Sequence, residues 1–146
     1  MSSYNFDSND QGPPSSPANA DSCGGSNWVC EHRRTPIANM VAWRNSAGSA
    51  EVSGFATFSP NVIAFGRGGK AWVVMNRGGS AWGASFDVAT GLPAGSYCNV
   101  AVSDDTSNCP EIVVRGDGAI AAGGFSAPSL GSVALHVGAM RDAMKE

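Results

Sequence analysis

Charge is scarce in this sequence. Asp, Glu, Lys and Arg make up 14% of 146 residues, and the net charge is −3. The basic residues are scattered, with Arg33-Arg34 the only adjacent pair, so nothing suggests a partner as acidic as nucleic acid. Long apolar runs are absent as well, and none approaches the roughly 20 residues that cross a bilayer. Met1-Ser2-Ser3-Tyr4 opens the chain without a basic region or an apolar stretch behind it, which excludes a signal peptide in the sequence as it stands. Only two histidines are present. No Walker loop, nucleophile elbow or metalloprotease helix occurs, and Gly66-Arg67-Gly68-Gly69 opens no helix and reads as a hairpin turn.

What is abundant is glycine, 19 residues, with 8 prolines and a 42% hydrophobic fraction. Few charges and many turn formers predict a mainly β protein with a real core. The length suits one domain, or one domain with part of another. Four cysteines fall into two close pairs, Cys23/Cys30 and Cys98/Cys109. These gaps do not match zinc knuckles, and the histidines are too few to complete such sites. Near-neighbour disulfides are expected instead, each stabilising by about 2.5–3 kcal/mol in the chain-entropy model. Disulfides imply an oxidising compartment. Set against the missing leader, they suggest a longer secreted parent.

Residues 1–27 are polar and broken by Gly12-Pro13-Pro14 and Ser15-Ser16-Pro17. Thr35 before Pro36 reads as an N-cap followed by proline in the first turn, and a helix is predicted near Pro36–Asn45 with Gly48 as its stop. After Gly48 the pattern changes to short strands between glycine-rich turns. Candidates are Val62–Arg67, Ala71–Asn76, Ser85–Val88, Tyr97–Val102, Ile112–Arg115, Ala119–Ala122 and Ser132–Val137, the signature of an antiparallel sandwich. Alternation in the last strand turns Val133, Leu135 and Val137 inward and His136 outward.

Chemistry is hard to find. Glycoside hydrolysis needs two carboxylates across a cleft, but most acids here sit in turns. Asp104-Asp105 lies inside the loop that Cys98 and Cys109 would close. His32, just ahead of the helix, reads as a structural residue, and no Ser-His-Asp or Cys-His set forms. Trp82 and Trp72 are the candidates for stacking on a sugar ring. Trp72 reads first as core, whereas Trp82 follows the Gly78-Gly79 turn.

Several segments together resemble the alpha-amylases of glycoside hydrolase family 13, in their animal-type and related bacterial branch. Met1-Ser2-Ser3-Tyr4 followed by Asp10-Gln11-Gly12-Pro13-Pro14 looks like the last barrel strand and its loop. Trp28-Val29-Cys30-Glu31-His32-Arg33-Arg34 and Asn39-Met40-Val41-Ala42-Trp43-Arg44-Asn45 look like the turn and final barrel helix. Ile63-Ala64-Phe65-Gly66-Arg67-Gly68, Thr90-Gly91-Leu92-Pro93-Ala94-Gly95-Ser96-Tyr97-Cys98 and Ala134-Leu135-His136-Val137 resemble the C-terminal β domain. The resemblance implies a Greek-key β-sandwich over residues 48–146, with 1–47 the end of a catalytic (β/α)₈ barrel. It implies a parent that hydrolyses α-1,4-glucosidic bonds of starch with retention and is extracellular. The parent family's catalytic carboxylates, calcium ligands and basic chloride ligand all fall upstream of Met1, so no catalytic or metal residue and no cofactor is assigned to this chain. Ile37, Met40, Val41 and Trp43 are expected to pack against that barrel, and Met1–Phe6 to be a barrel strand. Expected partners are accordingly the missing barrel or a second copy meeting the helix stripe, with starch or a maltooligosaccharide bound weakly at most. The alternative is a free-standing β-sandwich that binds starch or stabilises a partner.

Overall fold

The protein is described by a computed structural model that covers residues 3–5, 8–10, 12, 13, 23 and 28–141. Most of the expected barrel strand and its loop, and the tail after 141, lie outside the described residues. One helix, α1 (Thr35–Ala47), precedes eight strands: β1 (Val52–Ser59), β2 (Val62–Arg67), β3 (Ala71–Asn76), β4 (Val88–Ala89), β5 (Gly95–Cys98), β6 (Glu111–Val114), β7 (Ala119–Ile120) and β8 (Gly131–His136). The largest sheet has the order β1-β2-β3-β8, and β4 pairs with β7 and β5 with β6. Every strand pairing is antiparallel. The chain leaves β3, builds the two small pairs, and returns to lie beside β3, which bears out the mainly β, antiparallel sandwich expected from the sequence.

Alternation along β2, β3 and β8 serves two cores at once. Val62, Ala64, Trp72, Val74, Val133 and Leu135 face a large cluster that includes Val88, Tyr97, Ile112, Val114 and Ile120 from the small pairs. Ala71, Val73 and Ala134 point the opposite way, into a second cluster with Trp43 and Ala47 of α1 and with Cys98 and Val100. β3 is therefore buried on both sides, and this explains its unbroken Ala71-Trp72-Val73-Val74 run. A strand wet on one face would alternate instead. Between β2 and β3 the turn needs left-handed backbone at Gly68 (φ 50°) and Gly69 (φ 69°), which glycine adopts without steric cost. The paired glycines do form the predicted hairpin.

The helix differs in detail from its reading. Thr35 lies inside α1 rather than capping it. Arg34 occupies the cap position without a side-chain bond, and Pro36 stands in the first turn. The buried positions are Asn39, Trp43 and Ala47, spaced by four residues so that they form one stripe. Trp43, expected against a barrel, is only 5% exposed and packs edge-on to Phe65. Its indole Nε1 donates to the carbonyl of Trp72 at 3.1 Å. Asn39 Nδ2 likewise donates to the carbonyl of Val100 at 2.9 Å. Polar groups that reach backbone acceptors carry the helix onto the sheet. Ile37 and Val41 are left 47% and 61% exposed, with Met40 half-buried beside the second cluster.

Three strand readings also shift. β1 was not anticipated, because its Ser, Gly and Thr positions are largely exposed and Gly54 interrupts its pattern. The strand expected at Ser85–Val88 begins only at Val88. β5 stops at Cys98, since Asn99 Oδ1 accepts from the N–H of Ala101 at 3.2 Å and of Ala134 at 3.1 Å. An asparagine that bonds its own backbone two residues on closes a turn. Both expected disulfides are formed, Cys23–Cys30 and Cys98–Cys109.

Two stability predictions follow from this packing. Trp43→Ala should cost about 3–5 kcal/mol, the range for a large buried aromatic. Val41→Ala should change stability by no more than about 0.5 kcal/mol. Urea denaturation followed by circular dichroism checks both. Replacing Cys98 and Cys109 together by alanine should lower stability by about 2–4 kcal/mol, read in the same way.

Candidate functional site

The acids near the turns can now be placed. Arg115, at the end of β6, sits between Asp87, just ahead of β4, and Asp117 in the β6–β7 turn. Its Nη2 lies 2.7 Å from a carboxylate oxygen of each. Asp87 Oδ1 also accepts from the N–H of Ala122, and Asp117 Oδ1 from that of Ala119. The two aspartates thus stand on either side of one nitrogen. The bond from Arg115 holds both below the usual aspartate range. A glycosidase acid needs the opposite, a carboxyl kept protonated by a raised pKa. This cluster is a clamp on two turns.

Other acids show the same tendency. Bonds from the Ser107 hydroxyl and N–H hold Asp105 below its ordinary value. The Ser3 hydroxyl on Glu31 draws that carboxyl down to about 2. Tyr97 is fully buried, its hydroxyl donates to the carbonyl of Pro93 at 2.8 Å, and burial pushes its phenol up. Among the described residues no cluster of three or more His, Cys, Asp or Glu could hold a metal ion.

The tryptophans are committed to packing. Trp72 is buried and meets Phe125 edge-on at 5.6 Å. Trp82 is half-buried, with Phe58 stacked on it at 5.0 Å and an interplanar angle of 13°. Phe86 continues this row of rings from Phe58 to the surface. Neither candidate sugar platform therefore presents a free pair of faces. A surface depression of about 520 Å³ is lined by Pro36, Met75, Arg77, Val102 and Leu130 among others, and no acid, histidine or cysteine is among its lining residues.

His136 was expected outward and is instead 5% exposed. The face that alternation leaves outside the main core is the one that α1 covers. Its Nδ1 accepts from the N–H of Gly138 at 3.1 Å and lies 2.9 Å from the Ser46 hydroxyl. That places the ring proton on Nε2 and makes the hydroxyl a second donor. His32 is exposed at the 3₁₀ turn before α1. Polar residues the sequence reading passed over do more structural work: Asn76 Nδ2 binds the carbonyls of Ser80, Ala127 and Pro128. An Asn before Arg-Gly-Gly could have flagged that turn; nothing local marks Asn99.

Residues 57–138 match the family described as the alpha amylase C-terminal all-beta domain. The chain belongs to this family. The alpha-amylases of Tribolium castaneum and Pecten maximus are similar to it, at 38% and 39% identity over 95% and 97% of this chain. Each match takes in 30% of the relative. The crystal structure of alpha-amylase I from Eisenia fetida superposes with a TM-score of 0.78 at 30% identity, covering 94% of this chain and 31% of that one. The chain thus spans about a third of its relatives' length, and the similarity runs beyond the β domain into the segment that carries α1.

Burial holds the His136 imidazole below its ordinary pKa, so the unfolded chain binds that proton more readily. Stability should therefore be full above about pH 6.5, the ordinary histidine value, and fall as pH drops below it. Urea midpoints between pH 7.5 and 5 should decline less in His136→Asn, whose Oδ1 can still accept the Gly138 N–H.

Proposed function

We propose that this chain is the C-terminal portion of an alpha-amylase, catalytically silent by itself, whose role is to stabilise the starch-hydrolysing barrel of its parent. The observation that carries this reading is the Arg115 clamp. The Asp87 and Asp117 carboxylates are held ionised by a guanidinium between them, so neither can donate a proton to a leaving group. A (β/α)₈ barrel also takes roughly 250 residues, more than the whole of this chain. In the parent, residues 1–47 would complete that barrel, with the exposed Ile37 and Val41 of α1 turned toward it. The two disulfides, and relatives named as pancreatic alpha-amylases from Struthio camelus and Mus musculus, support an extracellular parent. A starch-binding module is the weaker reading, because Trp72 is buried and one face of Trp82 is taken by Phe58.

Purified chain should give no turnover of a chromogenic maltooligosaccharide, with an intact alpha-amylase as the positive control. Activity that co-purifies with the chain and disappears in Asp117→Asn would refute this assignment. Depletion by insoluble starch would instead favour the binding module.

A further inference from the structure

Where β3 ends and β8 begins, the hollow of about 520 Å³ is lined by Pro36, Met75, Val102 and Leu130 among others. A second hollow of about 250 Å³ is lined by Pro60, Asn61 and Ile63, and Met75 and Arg77 line both. Apolar side chains stand open to water here: Met75, Val102 and Leu130 are 39%, 51% and 78% exposed. Leu130 also holds a left-handed backbone, at φ 52°, which a bulky residue adopts only at a steric cost. A strained position that keeps a large apolar side chain in solvent is a place to look for a ligand. Arg77 is the one charged residue among those lining either hollow. Its Nη2 donates to Asn61 Oδ1 at 3.3 Å, and among the described residues it meets no carboxylate.

We propose that the larger hollow binds an amphiphilic monoanion, a free medium-chain alkyl carboxylate, with its tail against Met75, Val102 and Leu130 and its carboxylate on Arg77. A guanidinium meets a carboxylate with two parallel N–H donors, so the unmatched charge selects the head group. The backbone selects the tail, because the amides around the hollow are already bonded within the chain. Arg77 N–H donates to the Asn61 carbonyl at 2.8 Å, Leu130 N–H to that of Gly78 at 3.2 Å, and Val102 N–H to that of Asn99 at 3.0 Å. Met75 and Asn76 of β3 are paired with Ser132 and Gly131 of β8. A peptide laid here would find no strand edge, and its own amides would lose water without replacement. An alkyl chain carries no such groups. The volume falls within the range of small-ligand sites, about 300–1,000 Å³.

Amide chemical shifts of the full chain, titrated with octanoate, 1-octanol, acetate and a capped peptide of leucines with one glutamate, test the site. Octanoate should shift Met75, Arg77, Val102 and Leu130, with half-saturation at about 0.1–1 mM, as suits a ligand of this size. 1-Octanol, which lacks the charge, and acetate, which lacks the tail, should each bind at least about tenfold more weakly. Arg77→Gln should erase the preference for octanoate over 1-octanol, and Leu130→Ser should weaken both, with β5 and β6 resonances unchanged as the sign of an intact fold. The comparison of ligands on the wild-type chain needs no variant. No saturable shift, equal binding of octanoate and 1-octanol, or shifts away from the hollow overturns the proposal. Tighter binding of the capped peptide overturns it in favour of a peptide groove. Shifts of the same amides on concentrating the chain alone overturn it in favour of a second copy.

Discussion

Docking of Trp43 onto the back of the main sheet is the contact on which the rest of the architecture depends. It combines a buried indole with a hydrogen bond to the Trp72 carbonyl. Such a bond adds only about 1 kcal/mol net, whereas leaving the buried N–H unmet would cost more. Its importance is therefore in orientation: α1 can sit in one place, with Asn39 reaching Val100 and Ala47 filling the space behind. With the helix there, a sheet that would otherwise be wet on one face becomes the middle layer of three. The double burial of β3, the enclosure of His136 beside Ser46, and the cover over Cys98 and Val100 all follow.

The polar interior is arranged for structure. Among the described residues no buried side-chain nitrogen or oxygen lacks a hydrogen-bond partner. Asn76 and Asn99 each tie loops to strands through several backbone bonds, and Arg115 joins two turns through opposite charges at the surface. An enzyme site usually keeps something in reserve, such as a carboxyl held protonated or a donor aimed at space that substrate will fill. Among the described residues the acids with perturbed affinities are more acidic than usual, and they accept from local donors.

Several features were open to inspection in the residues themselves. Val62–Arg67 and Ala71–Asn76 were visible because apolar runs end at Gly68-Gly69 and at Arg77-Gly78-Gly79, and both strands have the expected bounds. Pro36 and Gly48 bracket α1. The cysteine pairs were apparent from spacing. β1 was missed because an exposed edge strand needs no apolar alternation, and Ser, Gly and Thr give little sign of pairing. The candidate site was less legible: the Arg115 clamp joins residues 87, 115 and 117, and no motif links them. Trp72 and Trp82 were named as ring platforms, yet nothing near them announced that Phe125 and Phe58 would cover them.

By itself the sequence determined where the chain must turn, which runs can be strands, where a helix begins and ends, and how the cysteines pair. Those are local properties, governed by backbone sterics, turn chemistry and short loops. Which face of α1 is inside, whether His136 is wet or buried, and which sheet edge remains open were decided only by the tertiary structure. Each depends on what lies across a gap from residues distant in sequence, as Trp43 does from Trp72 and Asn99 from Ala134. A side chain that can bury itself through one hydrogen bond looks polar or apolar in the sequence, and only its partner's position says which role it plays.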